Sequence, residues 1–174
     1  MTTYARFDGP FGRMLVTASR LGLSGIYFTG QKYEPEVLDA WSSDPDLESL
    51  SAACRQLDEY FRGARTRFDL PLDPRGTPFQ MSVWRALRDI PFGETTTYGS
   101  VARQLGAPAA TRAVGAAVGR NPISIVVPCH RVLGSDGSLT GYAGGLDRKR
   151  ALLALERPGA IRPSSYSLFS EGTT

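Results

Sequence analysis

The sequence predicts a mixed α/β protein of the α+β type, built in two parts with strands first and helices after them. Residues 3–29 contain three short strand-like runs separated by glycine-containing breaks, which is typical of an antiparallel meander. Apolar residues then recur at helical spacing over 46–62, 78–90, 98–105 and 146–156. Between them, residues 71–76 hold two prolines and a glycine, which indicates a linker. We therefore expect a sheet-and-helix domain at 1–75 and a second domain at 76–157, followed by a flexible tail at 158–174.

Several local features refine this outline. Thr77 and Pro78 suit the N-cap and first turn of the helix that follows. Phe68-Asp69-Leu70 is a candidate for a further strand. The segment 132–142, with a turn at 135–138, predicts a hairpin. In the last helix we expect Leu152 and Leu155 to be buried and Lys149 to point outward.

Composition limits the possible classes of protein. The 174 residues are 41% hydrophobic and 21% charged, as in soluble globular proteins, and no run is long enough to span a membrane. The N-terminus lacks an apolar signal region, so a cytoplasmic location is expected. Two cysteines and one histidine are too few for a zinc site without carboxylates, and we expect no metal.

Charge is divided unevenly along the chain. The net charge is +3, but residues 1–79 carry nine basic and eleven acidic side chains, whereas residues 80–160 carry ten basic and five acidic ones. This difference suggests that the second part binds a polyanion. Ordinary surface charge for solubility remains an alternative.

The most informative stretch is Pro128-Cys129-His130, which follows a β-branched run. A free thiol is only a few per cent ionised at neutral pH, and a nearby imidazole can accept its proton. The proline favours the end of the strand, so that the two side chains need not point to opposite faces. A buried thiol beside a structural histidine is the alternative. Cys54, at helical spacing with Leu50 and Leu57, is expected to be a core thiol.

A helix predicted to end near Arg120 carries an unusual face. Together with the preceding helix and a Gly-containing turn it forms a helix-turn-helix pattern. One face holds Ala110, Val114, Ala117 and Val118 and is expected to be packed, and the opposite face has glycines, each costing about 1 kcal/mol relative to alanine. This cost indicates close approach of another body, although a contact between two helices would also explain it. The small face comprises Arg112, Gly115, Ala116 and Gly119.

The residues from Pro128 to Val132 resemble the active-site motif of the O6-alkylguanine-DNA alkyltransferases. The resemblance extends to Asn121-Pro122, to the stretch 112–115 and to the stretch 141–146, and it covers about residues 76–157 closely. It implies a ribonuclease-H-like N-terminal domain and a winged helix-turn-helix-like alkyltransferase domain. The implied activity is irreversible, stoichiometric transfer of an alkyl group from O6-alkylguanine in DNA, and by expectation from O4-alkylthymine, to Cys129. No cofactor is expected.

The resemblance also implies catalytic roles. His130 would take the thiol proton through a water molecule, and Asn121 would link the small-faced helix to the Cys129 segment. Spacing alone leaves open which acid orients the histidine, because Asp89, Glu94, Asp136, Asp147 and Glu156 are all candidates; the resemblance selects Glu156.

Further residues would contact the DNA. The hydroxyl of Tyr98 would donate to the extruded guanine, Arg112 would fill the space that this base leaves, and the small face would fit a minor groove. The implied substrate-binding residues are Tyr98, Arg112, Val132, Ser135 and Ala143, and the implied DNA-binding residues are Ala113, Gly115, Ala116 and Gly119. The expected partner is double-stranded DNA that contains the lesion, bound by a monomer that could cluster on DNA.

Other functions compete with transfer. Proteins that bind the lesion without removing the alkyl group resemble this segment but lack the cysteine. A cysteine hydrolase would turn over many substrates. A regulator that senses alkylation would need an extra metal-binding domain. The presence of Cys129 favours transfer.

Overall fold

The computed structural model describes residues 1–158, so the predicted tail lies outside the described residues apart from Pro158. The N-terminal part is a sheet with the strand order β3-β2-β1-β4. Its strands are β1 (Thr3–Gly9), β2 (Gly12–Ser19), β3 (Gly22–Phe28) and the two-residue β4 (Ser42–Ser43). The first three form the predicted antiparallel meander, and β4 pairs in parallel with β1. Helix α1 (Glu48–Phe61) covers this sheet.

The second part is mainly helical. It contains α2 (Pro78–Arg88), β5 (Thr96–Thr97), α3 (Tyr98–Gln104), α4 (Thr111–Gly119), β6 (Val132–Leu133) and α5 (Leu146–Glu156). Single 3-10 turns precede α4 at Pro108–Ala110 and precede β6 at Cys129–Arg131. The predicted mixed α/β class is therefore confirmed.

The start of α2 follows the prediction. The Thr77 side chain accepts a hydrogen bond from the Gln80 backbone N–H, and the Gln80 side chain accepts one from the Thr77 N–H. Both N–H groups, which have no carbonyl partner within the helix, are therefore hydrogen-bonded. On the same helix the buried indole of Trp84 donates to the Ala117 carbonyl at 2.8 Å. This bond joins α2 to α4, the helix that carries the small face.

The predicted hairpin at 132–142 is wrong. Strand β6 pairs in parallel with β5, and residues 134–138 close a turn through Gly134 N–H and Ser138 C=O, but residues 139–142 form no returning strand. The carbonyl of Thr140 instead accepts from side chains, Tyr98 Oη at 2.8 Å and Lys149 Nζ at 3.0 Å. These partners replace the ladder bonds that a hairpin would have made.

The candidate strand at Phe68–Leu70 does not form either. The Gln56 side chain takes both hydrogen-bonding groups of Asp69, donating to its carbonyl at 2.9 Å and accepting from its N–H at 2.8 Å. A backbone N–H or C=O group that is bonded to a side chain is not free to pair with a neighbouring strand. This segment therefore packs beside α1 as irregular chain.

The two parts share one hydrophobic core. The N–H of Ile26 on β3 donates to Pro122 C=O at 2.9 Å, and the N–H of Ser124 donates back to Ile26 C=O at 3.1 Å. The chain that leads from α4 to Cys129 is thus bonded to the edge of the N-terminal sheet. Among the described helices, none has the length and hydropathy that crossing a membrane requires.

Candidate active site

Cys129 begins the 3-10 turn that follows Pro128, and only 6% of it is exposed. No strand precedes Pro128, because residues 123–127 form only isolated bridges and Ile125 has a left-handed φ of 73°. Cys129 and His130 nevertheless lie in the 3-10 turn and do not occupy extended geometry. Cys129 borders a cavity of about 750 Å³. The cavity is also lined by residues of the small face of α4, among them Gly115 and Gly119. The buried thiol and the small face therefore meet in one space.

The thiol lies in a mixed electrostatic environment. Burial raises the pKa of Cys129, whereas a hydrogen bond from Asn121 and the nearby charge of Lys149 act in the opposite direction. The Asn121 side chain also donates to Val127 C=O at 2.8 Å and accepts from Ile123 N–H at 3.0 Å. Asn121 therefore connects the end of α4 with the segment that delivers the cysteine.

His130 is completely buried, and its two ring nitrogens differ. Nε2 lies 2.7 Å from Glu156 Oε1, whereas Nδ1 has no hydrogen-bond partner among residues 1–158. Burial lowers the pKa of His130, and the neighbouring Glu156 raises it by less, so the net pKa is below the ordinary value of 6.5. The imidazole is therefore neutral at pH 7, and it donates through Nε2 if Glu156 is ionised.

Glu156, the last residue of α5, is ionised. Burial alone would raise its pKa, but hydrogen bonds from His130 and Arg131 lower the pKa to about 2. The guanidinium of Arg131 contacts both carboxylate oxygens, with Nε 2.8 Å from Oε2 and Nη2 2.8 Å from Oε1. A bidentate pair of this kind holds the carboxylate in one orientation. It follows that Nε2 of His130 carries the proton and Nδ1 offers a lone pair.

The expectation that Lys149 points outward is wrong. The residue is 0% exposed, and its Nζ donates to the carbonyls of Val132 at 2.6 Å, Thr140 at 3.0 Å and Gly141 at 3.3 Å. Desolvation lowers its pKa to about 8. The Arg-Lys-Arg triplet suggested a solvated face. However, positions 149, 152 and 156 are three, four and seven residues apart and share one side of a helix.

The implied substrate-binding residues fall into two groups. Tyr98 and Ala143 line the cavity, and the Tyr98 hydroxyl donates to Thr140 C=O. Arg112 is exposed on α4, and Ser135 is exposed in the 134–138 turn. Val132 is buried, and its carbonyl accepts from Lys149. Arg112, Val132 and Ser135 are not among the described residues that line the cavity.

The implied DNA-binding residues lie together on one side of α4. Gly115 meets only the Tyr98 ring, with 3.9 Å between a built Cβ and the ring, and Gly119 meets nothing within 4 Å. The internal packing of the protein therefore does not require glycine at these two positions. All four implied residues line the cavity, namely Ala113, Gly115, Ala116 and Gly119.

The N-terminal part contributes residues to this site that were not predicted from the sequence. Lys32 and Tyr33 line the same cavity, and the Arg120 guanidinium lies 3.8 Å from the Tyr33 ring centroid. Tyr60 on α1 donates to Glu156 Oε1 at 2.7 Å. These contacts span 87 to 96 positions of sequence, and no local pattern announces them. Within residues 1–158 no group of three or more His, Cys, Asp or Glu side chains could hold a metal ion.

Two family models match the chain. Residues 2–74 match the ribonuclease-like domain of 6-O-methylguanine DNA methyltransferase, and residues 78–158 match the DNA binding domain of the same family. Together the two matches cover most of the 174 residues. The chain therefore belongs to the 6-O-methylguanine DNA methyltransferase family.

Individual proteins support this assignment. The methylated-DNA–protein-cysteine methyltransferase of Mycolicibacterium paratuberculosis is 50% identical over 97% of this chain and 99% of its own length. Its counterpart in Methanosarcina acetivorans is 51% identical over 88% of this chain and 97% of its own. Among solved structures, Mycobacterium tuberculosis OGT in complex with DNA matches with a TM-score of 0.81 and 49% identity, covering 88% of this chain and 92% of that one.

Proposed function

We infer that the protein repairs DNA directly, by transferring the alkyl group of O6-alkylguanine to its own Cys129. The observation that carries this conclusion is the shared cavity, in which a buried thiol faces the small side of a helix-turn-helix. Family membership agrees with it, and the names of the relatives that match nearly the whole chain describe methyl transfer from DNA to a protein cysteine. A solved relative binds DNA, which supports DNA as the partner.

We propose that His130 removes the thiol proton. The Nδ1 atom is the basic nitrogen of its neutral ring, since Nε2–H donates to Glu156. Transfer of the proton to Nδ1, through a water molecule, leaves a thiolate and an imidazolium whose charge the Glu156 carboxylate stabilises. Because the pKa of Cys129 is raised, its sulfur is a protonated thiol in the resting protein.

The transfer itself is a displacement at the alkyl carbon. The sulfur–carbon bond forms as the carbon–O6 bond breaks, and the electron pair of the broken bond stays on guanine, which takes up a proton and leaves as the normal base. In this proposal Tyr98 turns its hydroxyl from Thr140 toward the base and reduces the charge that guanine acquires. Asn121 holds the Cys129 segment against α4. The thioether has no easy route back, so each molecule acts once.

The substrate must leave the duplex to reach the thiol. We propose that the small face of α4 enters the minor groove and that exposed Arg112 fills the space left by the extruded nucleotide. The backbone groups of Val132 and Ala143 would bind the base edges, and Ser135 would contact the lesion strand. Specificity would come from the pocket, so that binding is largely independent of sequence.

O4-alkylthymine presents its alkyl group on a comparable exocyclic oxygen and is included as a second substrate. We propose that the protein acts in the cytoplasm as a monomer that could cluster on DNA. Competition by an O4-methylthymine oligonucleotide, and the elution volume of the protein with and without DNA, would test the substrate and the oligomeric state.

The experiment that tests the main conclusion is intact-mass analysis after incubation with an oligonucleotide duplex containing O6-methylguanine. We expect uptake of one methyl group, located on the Cys129 peptide and saturating at one equivalent. Cys129→Ser should take up none, whereas the matched variant Cys54→Ser should behave like the wild type, because Cys54 lies on α1 outside the cavity. Binding without a change in mass would indicate a lesion-binding protein instead, and multiple turnover would indicate a hydrolase.

A further inference from the structure

The Glu156 carboxylate has a hydrogen-bond partner in the N-terminal domain. Tyr60, on the buried face of α1, is 0% exposed, and its hydroxyl oxygen lies 2.7 Å from Glu156 Oε1. We propose that Tyr60 is a positioning residue of the transfer reaction: its hydroxyl orients Glu156, and through it His130, so that the N-terminal domain completes the active site. This proposal rests on the proposed function and adds a residue to its machinery.

The direction of the hydrogen bond is determined by chemistry. An ionised carboxylate can only accept, and Glu156 is ionised at all but strongly acidic pH, so the tyrosine hydroxyl must donate. Burial raises the pKa of Tyr60 well above its ordinary value, and the nearby charge of Glu156 raises it further. The hydroxyl therefore keeps its proton and stays a donor throughout the working pH range.

The donors around Glu156 constrain both of its oxygens. Oε1 accepts hydrogen bonds from His130 Nε2, Arg131 Nη2 and Tyr60 Oη. Oε2 accepts one from Arg131 Nε and a longer one, at 3.4 Å, from the Gly93 backbone N–H. Both His130 and Arg131 belong to the 3-10 turn that carries the nucleophile. Tyr60 is the side-chain donor to Glu156 that belongs to another element, helix α1, so it adds a restraint on the carboxylate that is independent of this turn.

The position of Glu156 at a helix end explains why a further contact would help to fix its carboxylate. It is the last residue of α5, where helices fray and where the dipole disfavours a negative charge. The Tyr60 ring is anchored independently, with ring centroids 5.4 Å from Phe61, 5.5 Å from Phe68 and 6.2 Å from Phe92. A rigidly packed ring can present its hydroxyl at one place only. The contact with Tyr60 therefore ties the position of the Glu156 carboxylate, which orients His130, to the core of the N-terminal domain.

Tyr60→Phe isolates the hydroxyl, because phenylalanine keeps the ring contacts. The matched control is Tyr27→Phe, the same chemical change on β3, in a ring that lines a separate cavity. We expect Tyr60→Phe to slow methyl transfer about tenfold in single-turnover measurements at saturating protein, the size of effect that losing one hydrogen bond to a charged group can have. Affinity for the lesion duplex, measured in a Cys129→Ser background, should stay within about twofold, because Tyr60 is fully buried and does not line the Cys129 cavity. The Tyr27→Phe control should change neither quantity.

A spectroscopic readout separates positioning from mere stability. His130 is the only histidine in the chain, so protein labelled with 15N-histidine gives one imidazole spectrum. We expect the Nε2 proton resonance of His130 to move in Tyr60→Phe without DNA, and not in Tyr27→Phe. In a double-mutant cycle, adding Tyr60→Phe to Glu156→Gln should slow transfer by less than about twofold more, because the hydroxyl acts through the carboxylate.

Three results would overturn the proposal. The first is a wild-type transfer rate in Tyr60→Phe. The second is slow transfer with an unmoved His130 spectrum, and the third is an equal slowing in the Glu156→Gln background; either of these two would mean that Tyr60 acts only through stability. Failure of the proposed function is distinguishable, because it would appear as a wild-type protein that takes up no methyl group, whereas the His130 spectrum needs no DNA.

Discussion

At the scale of single residues, the site depends on which of three buried groups carry a proton. Glu156 is ionised, His130 is neutral with its proton on Nε2, and Cys129 is a thiol whose pKa burial has raised. This distribution leaves one basic nitrogen, Nδ1, for the thiol proton. In the proposed mechanism, the nucleophile is therefore unreactive at rest and is activated by a base that its neighbours orient.

The protonation state of His130 can be measured directly. Because burial lowers its pKa, we expect an NMR titration of the single imidazole to give a pKa below 6.5 in the folded protein. The neutral ring is the base, so the rate of methyl transfer should hold from pH 7.5 down through about 6.5, the ordinary histidine pKa, and fall only at lower pH. A His130 pKa above 6.5 would contradict the assignment of a neutral imidazole.

Glu156 should make stability depend on acid pH. Its pKa is lowered in the folded state from 4.5 to about 2, so its ionised form stabilises the fold fully above pH 4.5, and this contribution is lost as the pH falls toward 2. We expect Glu156→Gln to lower the free energy of unfolding by about 3 kcal/mol at pH 7, because Arg131 is left buried without its partner.

Urea titrations at several pH values would test this expectation. The difference between Glu156→Gln and the wild type should narrow from pH 4.5 toward pH 2. The control is Glu94→Gln, an exposed carboxylate in the turn before β5, which should follow the wild-type curve. A difference that stays constant with pH would mean that the carboxylate is not the cause.

At the scale of elements, α4 combines packing on one side with open space on the other. Val114, Ala117 and Val118 are buried, as the sequence predicts, while Gly115 and Gly119 border the cavity. A helix in a soluble protein would normally fill its solvent side with long polar residues. In the proposed complex, the glycines of the small face lower helix stability but allow DNA to approach closely.

Substitution at Gly119 should separate these two effects. A built Cβ meets nothing within 4 Å, so Gly119→Ala should raise the free energy of unfolding by up to about 1 kcal/mol. Gly119→Leu should leave the protein folded but weaken duplex binding by at least about tenfold, roughly 1.4 kcal/mol, because its side chain projects where the duplex must lie. Urea denaturation and fluorescence anisotropy with a labelled duplex measure the two quantities. Wild-type affinity in Gly119→Leu would show that α4 is not part of the DNA interface.

At the scale of the whole molecule, the N-terminal part is integral to the active site. Its β3 edge bonds to the chain at 122–124, its α1 contacts Glu156, and its Lys32 and Tyr33 line the cavity. The two family models divide the chain near residue 76, but the hydrophobic core is continuous across that division. The excess of positive charge nevertheless lies beyond residue 79, where α4 is found.

This arrangement predicts cooperative unfolding. We expect the full chain to unfold in one transition, with circular dichroism and tryptophan fluorescence giving the same midpoint, because the parts share one core. Trp41 and Trp84 report on the first and second parts respectively. A fragment of residues 76–158 should be largely unfolded at 25 °C. Two separated transitions, or a stable fragment, would show that the N-terminal part is dispensable for folding.

The sequence alone determined most of the elements, the candidate nucleophile and the small-faced helix, because each depends on neighbours within about seven positions. The predicted hairpin at 132–142 and the predicted strand at Phe68–Leu70 are exceptions. The strands of the meander, the Thr77 cap and the Pro128-Cys129-His130 turn all follow from local rules of spacing and backbone geometry. Only the tertiary structure decided which carboxylate meets His130, that Lys149 is buried among three carbonyls, and that Tyr60 reaches the site. These contacts join residues up to 96 positions apart, and their energies come from burial, which no single segment has before the chain folds.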